Sequence, residues 1–302
     1  MASEVLSSLI KFCPAATGVK ILSSQSLCWS APNLFVDPFE LQYQSRPDTS
    51  AASLLDVLLR EALIMLFGPN VPTGRHNRLV NIMARWREQQ RFCDEEEAKM
   101  VLTDLLGQIA ELREKQVEEY LDEWRKFARN TRVACFSDKP GNIACWQRYA
   151  DRHHGIALRF ECGEDTGLPN PQHVQYQAYA PVITSQQEQL EIIYGRRSAP
   201  TAESFPEKLL IKGRHDHLES EWRCFETSRQ ATVDDESLWY DLRPFPAHEL
   251  RAVYFGTHTT QQDKELIYKL MRANYPTAKI YQGAVPQGRY EIEFSVWNNA
   301  KP

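Results

Sequence analysis

The sequence predicts an α+β fold in which a block of helices sits inside a chain of short strands whose partners lie far apart along the sequence. Three observations carry this prediction. Apolar residues recur at helical spacing over 53–68 and 94–129, the period changes to strand-like alternation from Arg132 onward, and no repeat, low-complexity tract or linker divides the 302 residues. A chain of this length, 42% hydrophobic and 25% charged, buries one large core or two modest ones. We therefore expect one α+β domain over 1–302 with a helical insertion at about 50–130.

The first forty residues read as strands and turns, LIKFCP and then SLCWSAPNLFVDPFE, broken by Pro14, Pro32 and Pro38. Residues 53–68 are amphipathic. Residues 94–129 form one long helix or a close pair, with Met100, Val101, Leu105, Ile109, Leu112, Val117, Tyr120, Leu121, Trp124 and Phe127 as the apolar face. The acidic run at 94–97 suits a helix start, where the macrodipole favours negative charge. RVACFS then reads as a strand, NIACWQRYAD as a short helix and HGIALRF as a strand. Further strands are expected at HVQYQAY, LWYDL, LRAVYFG, AKIYQGAV and YEIEFSVW, with helices at QQEQLEIIYGRR and TQQDKELIYKLMRANYP.

Composition excludes several classes. A net charge of -5 and a pI near 6.0 give no global basic field for nucleic acid, so only a local basic groove stays open. The most apolar stretch, 54–68, carries Asp56, Arg60 and Glu61, so no membrane span is expected. The N-terminus lacks the pattern of a secretory signal, and a cytoplasmic location is the default. Seven cysteines stand singly without zinc-ligand spacing, as reduced, mostly buried thiols do; a Cys/His nucleophile pair meeting only in space stays open. P-loop, dinucleotide-binding, zincin and nucleophile-elbow motifs are absent.

Three stretches are rich enough for chemistry. In RHDHLESEWRCF (214–225), a strand would set His215, His217, Glu219, Glu221 and Arg223 on one face and Leu218, Trp222 and Cys224 on the other. A helix would instead make Glu219 and Arg223 an ordinary surface pair, and the pattern weighs the two equally. In residues 133–160, Ser137 closes a strand, while Trp146 and Tyr149 share a helix face, either as core or at a cleft where a ring stacks on a flat ligand. His153 and His154 precede a turn and are expected in solvent. In residues 22–40, Asp37 and Glu40 flank a proline turn, either capping it or holding a metal or substrate.

Taken in order, Lys11-Phe12, Asp37-Pro38-Phe39-Glu40, Cys135-Phe136-Ser137, Trp146, Tyr149-Ala150-Asp151, His154-Gly155 and Glu219-Ser220-Glu221-Trp222-Arg223 resemble the pattern of an uncharacterised, largely bacterial family, domain-of-unknown-function family 2971. The chain departs from it at Val36, where Asn is usual, and at His217, where an aromatic is commoner. The order of parts is in turn similar to that of ADP-ribosyltransferases. That likeness implies a split β-sheet core with a helical insertion, and NAD as substrate. It places Glu221 as the catalytic carboxylate, Glu219 as the carboxylate that orients or deprotonates the acceptor, and Ser137 as the strand-end hydroxyl. Lys11 with Phe12 falls at the ribose, Tyr149 with Trp146 at the nicotinamide, and Arg223 beside them. An oxocarbenium-like state is what a fixed carboxylate stabilises.

The resemblance thus implies a glycosyltransferase moving ADP-ribose to a macromolecular acceptor, protein or nucleic acid, as a toxin or defence effector with an antitoxin or regulatory partner and no membrane. Two rivals stand beside it: a non-catalytic nucleotide- or partner-binding sensor of the same fold, and a nucleic-acid-processing protein using its HxExExR face. Residues 217–224 are expected as a strand, with Glu219, Glu221 and Arg223 facing a cleft and Trp222 buried behind. The helices of 53–129 are expected to pack on the sheet and shape the acceptor side.

Overall fold

The computed structural model describes residues 6–41, 50–69, 77–179, 182–228 and 235–297. In chain order it runs β1 (Ser8–Cys13), α1 (Ala15–Ser24), β2 (Ser26–Ser30), α2 (Ala51–Phe67), α3 (Arg78–Glu88), α4 (Glu95–Asn130), β3 (Thr131–Ser137), α5 (Ile143–Arg148), β4 (Ile156–Glu161), β5 (Gln172–His173) and β6 (Gln175–Gln177). It continues with α6 (Gln186–Ile193), α7 (Phe205–Lys208), β7 (Ile211–Gly213), β8 (Glu221–Thr227), β9 (Tyr240–Pro244), β10 (Leu250–Phe255), α8 (Gln261–Asn274), β11 (Lys279–Ala284) and β12 (Glu293–Val296). The described residues fall into two units: those within 1–40, 128–179 and 210–302, and those within 41–127 and 180–209. The expected helices of 50–130 lie mostly in the second unit, together with α6 and α7.

The first unit is built on a mostly antiparallel sheet in the order β12-β11-β10-β4-β1-β3-β2-β9, with β8 on β3 and β5 on β8, which places it in the expected α+β class. Strand alternation divides its side chains between two layers. Leu9, Leu158 and Val253 pack with Leu22 of α1 and with Ile267 and Met271 of α8. Ile10, Phe12, Ala157 and Tyr254 pack on the other face with Trp146 of α5. The sheet divides at β3. This strand pairs with β8 along its whole length, from Thr131↔Thr227 to Ser137↔Glu221, but meets β1 only at Ile10↔Ser137 and β2 only at Ser30↔Val133.

The first forty residues hold a helix where only strands and turns were expected. Gly18 in the middle of α1 and Pro14 before it mask the helical pattern, yet the glycine is needed there: an added Cβ would run into the Ile156 side chain of β4. The stretch HVQYQAY is two short strands, and 214–219 is a 3-10 turn.

In the second unit, α2 starts at a reciprocal cap between Ser50 and Ser53, and α3 and α6 start at side-chain caps from Asn77 and Ser185. Leu58, Met83, Leu102 and Leu106 share one core. The long helix α4 is unbroken, but its first half buries Ala98, Leu102, Leu106 and Ala110; Met100, Val101 and Leu112 are exposed. Toward its end Trp124 packs edge-on against Phe205 at 5.2 Å. No described helix is long and apolar enough to cross a membrane.

Candidate functional site

Where β1 and β3 part beyond their single shared pair, a cavity of about 330 Å³ opens in the first unit. Lys11 bridges the parting: its Nζ donates to the Cys135 carbonyl at 3.0 Å and lies 5.4 Å from the Phe136 ring centre. Apolar walls come from Ile10, Phe12, Leu34, Phe35 and Phe136, and a charged floor from Glu219, Glu221, Lys212 and Glu40.

β8 delivers Glu221 and Arg223 to one side of the strand and Trp222 and Cys224 to the other, as alternation requires. The strand begins only at Glu221, which corrects the expectation for 217–224. Residues 214–219 form a 3-10 turn closed by Ser220 in the left-handed region at φ 45. With three residues per turn, Asp216 and Glu219 point inward together while His215, His217 and Leu218 face solvent. The imagined single face of histidines, carboxylates and arginine therefore does not exist, and Glu219 reaches the floor by way of the turn. Trp222 is half-buried, with its ring edge-on to His173 at 5.1 Å.

Lys212, on the short strand β7 that pairs with β6, occupies the centre of the floor. Its Nζ lies 2.8 Å from Glu219 Oε2 and 2.9 Å from Glu221 Oε2, with Glu40 at 3.5 Å and Asp216 at 3.9 Å. Glu221 Oε1 accepts from Arg223 Nε at 2.7 Å, and Arg223 also pairs with Glu40. Glu219 Oε1 accepts from Arg148 at 2.5 Å and from the Tyr149 hydroxyl at 3.0 Å, while Arg148 also pairs with Asp216. The Ser137 hydroxyl donates to the Glu219 carbonyl at 2.9 Å, Asn142 Nδ2 donates to the same carbonyl at 2.9 Å, and the Tyr176 hydroxyl accepts from the Glu221 amide at 2.8 Å.

Burial sets the protonation pattern. It pushes the Glu221 carboxyl up, against the opposing pull of Lys212. It opposes charge on Lys212 as well, but Glu221 and Glu219 outweigh it and hold the ammonium above the usual lysine range. Hydrogen bonds to Asp216 and Glu219 raise Arg148, and burial raises the Tyr149 phenol. Burial also lifts the two thiols lining the cavity, Cys145 to about 12 and Cys135 well above the usual range, so neither offers a thiolate for a Cys/His pair.

Of the residues singled out in the sequence, Lys11, Phe12, Ser137, Tyr149, Glu219 and Glu221 line this one cavity. Trp146 and Arg223 stand behind its wall, both fully buried. Trp146 packs edge-on under Phe12 at 5.2 Å and donates its indole N–H to the Pro140 carbonyl at 2.6 Å. Asp37 caps its own turn by accepting from the Phe39 amide at 2.9 Å, whereas Glu40 joins the ionic floor. His153 is half-buried rather than solvated, stacked on Trp146 at 6.2 Å; His154 is exposed as expected. Among the described residues Asp37, His215 and Asp216 could offer a cation one atom each within 4.8 Å, but Asp216 already faces Arg148 and Lys212. The sequence reading missed Lys212, Arg148, Asp216, Asn142 and Tyr176. Of these only Asn142 and Arg148 left a local trace, as a helix cap and as a basic residue in the last turn of α5.

Comparison with protein-family models, with curated proteins and with solved structures finds no match to the chain, and so lends the resemblance noted in the sequence no support.

Proposed function

We propose that the cavity binds the nicotinamide–ribose end of NAD and that the protein transfers ADP-ribose to a macromolecular acceptor. The observation that carries this reading is the convergence of Glu219, Glu221, Ser137, Tyr149, Phe12 and Lys11 on one small, apolar-walled cavity where the sheet divides at β3. Its volume of about 330 Å³ lies at the lower end of small-molecule sites, enough for one end of a dinucleotide. Phe12, Phe136 and Tyr149 offer surfaces for a flat ring.

In this reading the bond between nicotinamide nitrogen and ribose C1 breaks, and its electron pair leaves with nicotinamide. The positive charge left on C1 is stabilised by Glu221 until the acceptor's nucleophile bonds to C1 and passes its proton to solvent water. A carboxylate has about four acceptor positions, so Glu221 keeps room for a ribose hydroxyl beside its bonds from Lys212 and Arg223. Glu219, held by donors from Arg148, Tyr149 and Lys212, serves in this reading to orient the acceptor.

The same compensation favours one rival. Each floor carboxylate already faces two cations, an arrangement suited to a sensor that binds a nucleotide without turning it over. The test is incubation with NAD labelled in its adenylate half and with candidate acceptors. Nicotinamide release that requires Glu221 supports the transferase, saturable binding without release supports the sensor, and neither binding nor release overturns both.

A further inference from the structure

We propose that Lys212 is the positioning residue of this site, a single ammonium that clamps Glu219 and Glu221 side by side and balances their charge. This inference rests on the reading of the cavity as the transferase site. Lys212 bonds to both carboxylates, at 2.8 and 2.9 Å, so their oxygens can be no farther apart than those two contacts laid end to end. Its side chain is only 5% exposed, so water does not screen the contacts.

Three features of the chain place it. Among the described residues β7 lies outside the main sheet and pairs with β6, where Lys212 stands level with Tyr176. Tyr176 in turn accepts from the Glu221 amide, tying the lysine's strand to the start of β8. Gly213 follows, and an added Cβ there would press on the His215 ring, so the chain turns at once into the 3-10 segment that carries Glu219.

The groups facing Lys212 define what its removal does. Glu219 and Glu221 touch it, Glu40 and Asp216 lie within 4 Å, and Tyr149 adds a phenol. Arg148 and Arg223 reach the same carboxylates from the outside, and Lys11 and the Cys135 thiol lie on the Glu221 side. Without the ammonium, two carboxylates crowded into a buried site repel, and the pair takes up one proton. A protonated Glu221 cannot stabilise a developing cation. Lys212 is itself unsuited to nucleophilic attack, since its surroundings hold it protonated.

The experiment compares wild type, Lys212→Met, Lys212→Gln and Lys212→Arg. Infrared titration of the folded proteins without substrate reads the protonated-carboxyl band. In Lys212→Met, a band absent from wild type is expected near neutral pH. It should titrate about one pH unit or more above the wild-type carboxyls, vanish when Glu221→Gln is added, and stay absent in Lys212→Arg. If Lys212→Met fails to fold, Lys212→Gln, which keeps hydrogen bonds but not charge, serves the same comparison. A folded, uncharged variant with no added band overturns the clamp. Where wild type releases nicotinamide, the acid limb of the turnover profile should shift upward by the same amount, with the KM for NAD little changed. Failure of wild type to act on NAD would sink the transferase reading and leave the infrared result to decide the clamp.

Discussion

Replacing Glu221 by glutamine separates chemistry from folding, and the structure sets the size of both effects. The carboxylate takes Arg223 Nε on one oxygen and Lys212 Nζ on the other. Glutamine keeps one acceptor and turns an NH₂ group toward the second cation, so a buried donor faces a buried donor. Breaking a buried pair outright costs about 3–5 kcal/mol. Here Lys212 retains Glu219 and Arg223 retains Glu40, which brings the expected cost to about 2–3 kcal/mol. For a chain of 302 residues that lowers the melting temperature by roughly 3–5 °C. A stability loss is thus expected whether or not the residue is catalytic. The discriminating quantity is nicotinamide release per folded molecule, measured below the transition with the folded fraction read from circular dichroism of the same sample. Loss of one electrostatic stabiliser predicts a fall on the order of 100- to 1,000-fold. Activity per folded molecule within about twofold of wild type would refute the catalytic role and leave Glu221 as a structural counter-ion.

Three further outcomes are expected. Stability should fall as pH rises from about 9 to 12. Burial raises Cys13, Cys145 and Cys224 to about 12, against an ordinary thiol value of 9.0, so over that window the folded chain holds protons that the unfolded chain has lost. Each thiol then removes about 1.4 kcal/mol per pH unit, measurable by urea denaturation from pH 8 to 11, and a flat profile would contradict the burial argument. Gly155→Ala should destabilise by about 2–3 kcal/mol, since the added Cβ meets the backbone carbonyl oxygen of Cys13 and, at 2.9 Å, that of Ala150; thermal melting checks it. Thr260→Ala, which removes the cap whose hydroxyl oxygen accepts from the Asp263 amide at 3.1 Å, should cost about 1 kcal/mol, read in the same way.

Much of the fold was legible because period reports burial where side chains alternate cleanly. RVACFS, HGIALRF and LRAVYFG became β3, β4 and β10, and the helix over 94–129 became α4. The misreadings share a cause: side-chain bulk was taken for burial. In α4 the residues set four apart, Ala98, Leu102, Leu106 and Ala110, face the core, and the small alanines left no mark beside the larger but exposed Met100 and Leu112. At 214–219 alternating charge imitated a strand, whereas the buried pair Asp216 and Glu219 obeys a period of three. Local pattern set Ser137 at the end of a strand and Glu221 on the polar face of one, and both line the cavity, although the strand of Glu221 starts four residues later than expected. It could not find Lys212, a lone lysine on a three-residue strand, whose meaning comes only from carboxylates that the turn folds back onto it.

Two fully buried arginines on neighbouring strands show why the chemistry is sought at this floor. Arg132 of β3 donates from its two terminal nitrogens to the carbonyls of Arg129, Thr131 and Leu238, with Asp241 3.6 Å from its Nε, so that these hydrogen bonds go to neutral dipoles. Arg223 of β8 instead pairs with Glu221 and Glu40, and through Glu221 joins Lys212, Glu219, Arg148 and Asp216. Hydrocarbon of the same volume often stabilises a fold as well as a buried ionic network does, because each ion must shed its water. A network of four carboxylates and three cations against one cavity is therefore a poor device for stability alone. It is a good device for holding charged groups fixed before a ligand arrives, where they need not reorganise when charge develops. The desolvation cost is concentrated on the wall that Ser137, Tyr149 and Lys11 also reach, and that coincidence makes this cavity the place to test for turnover first.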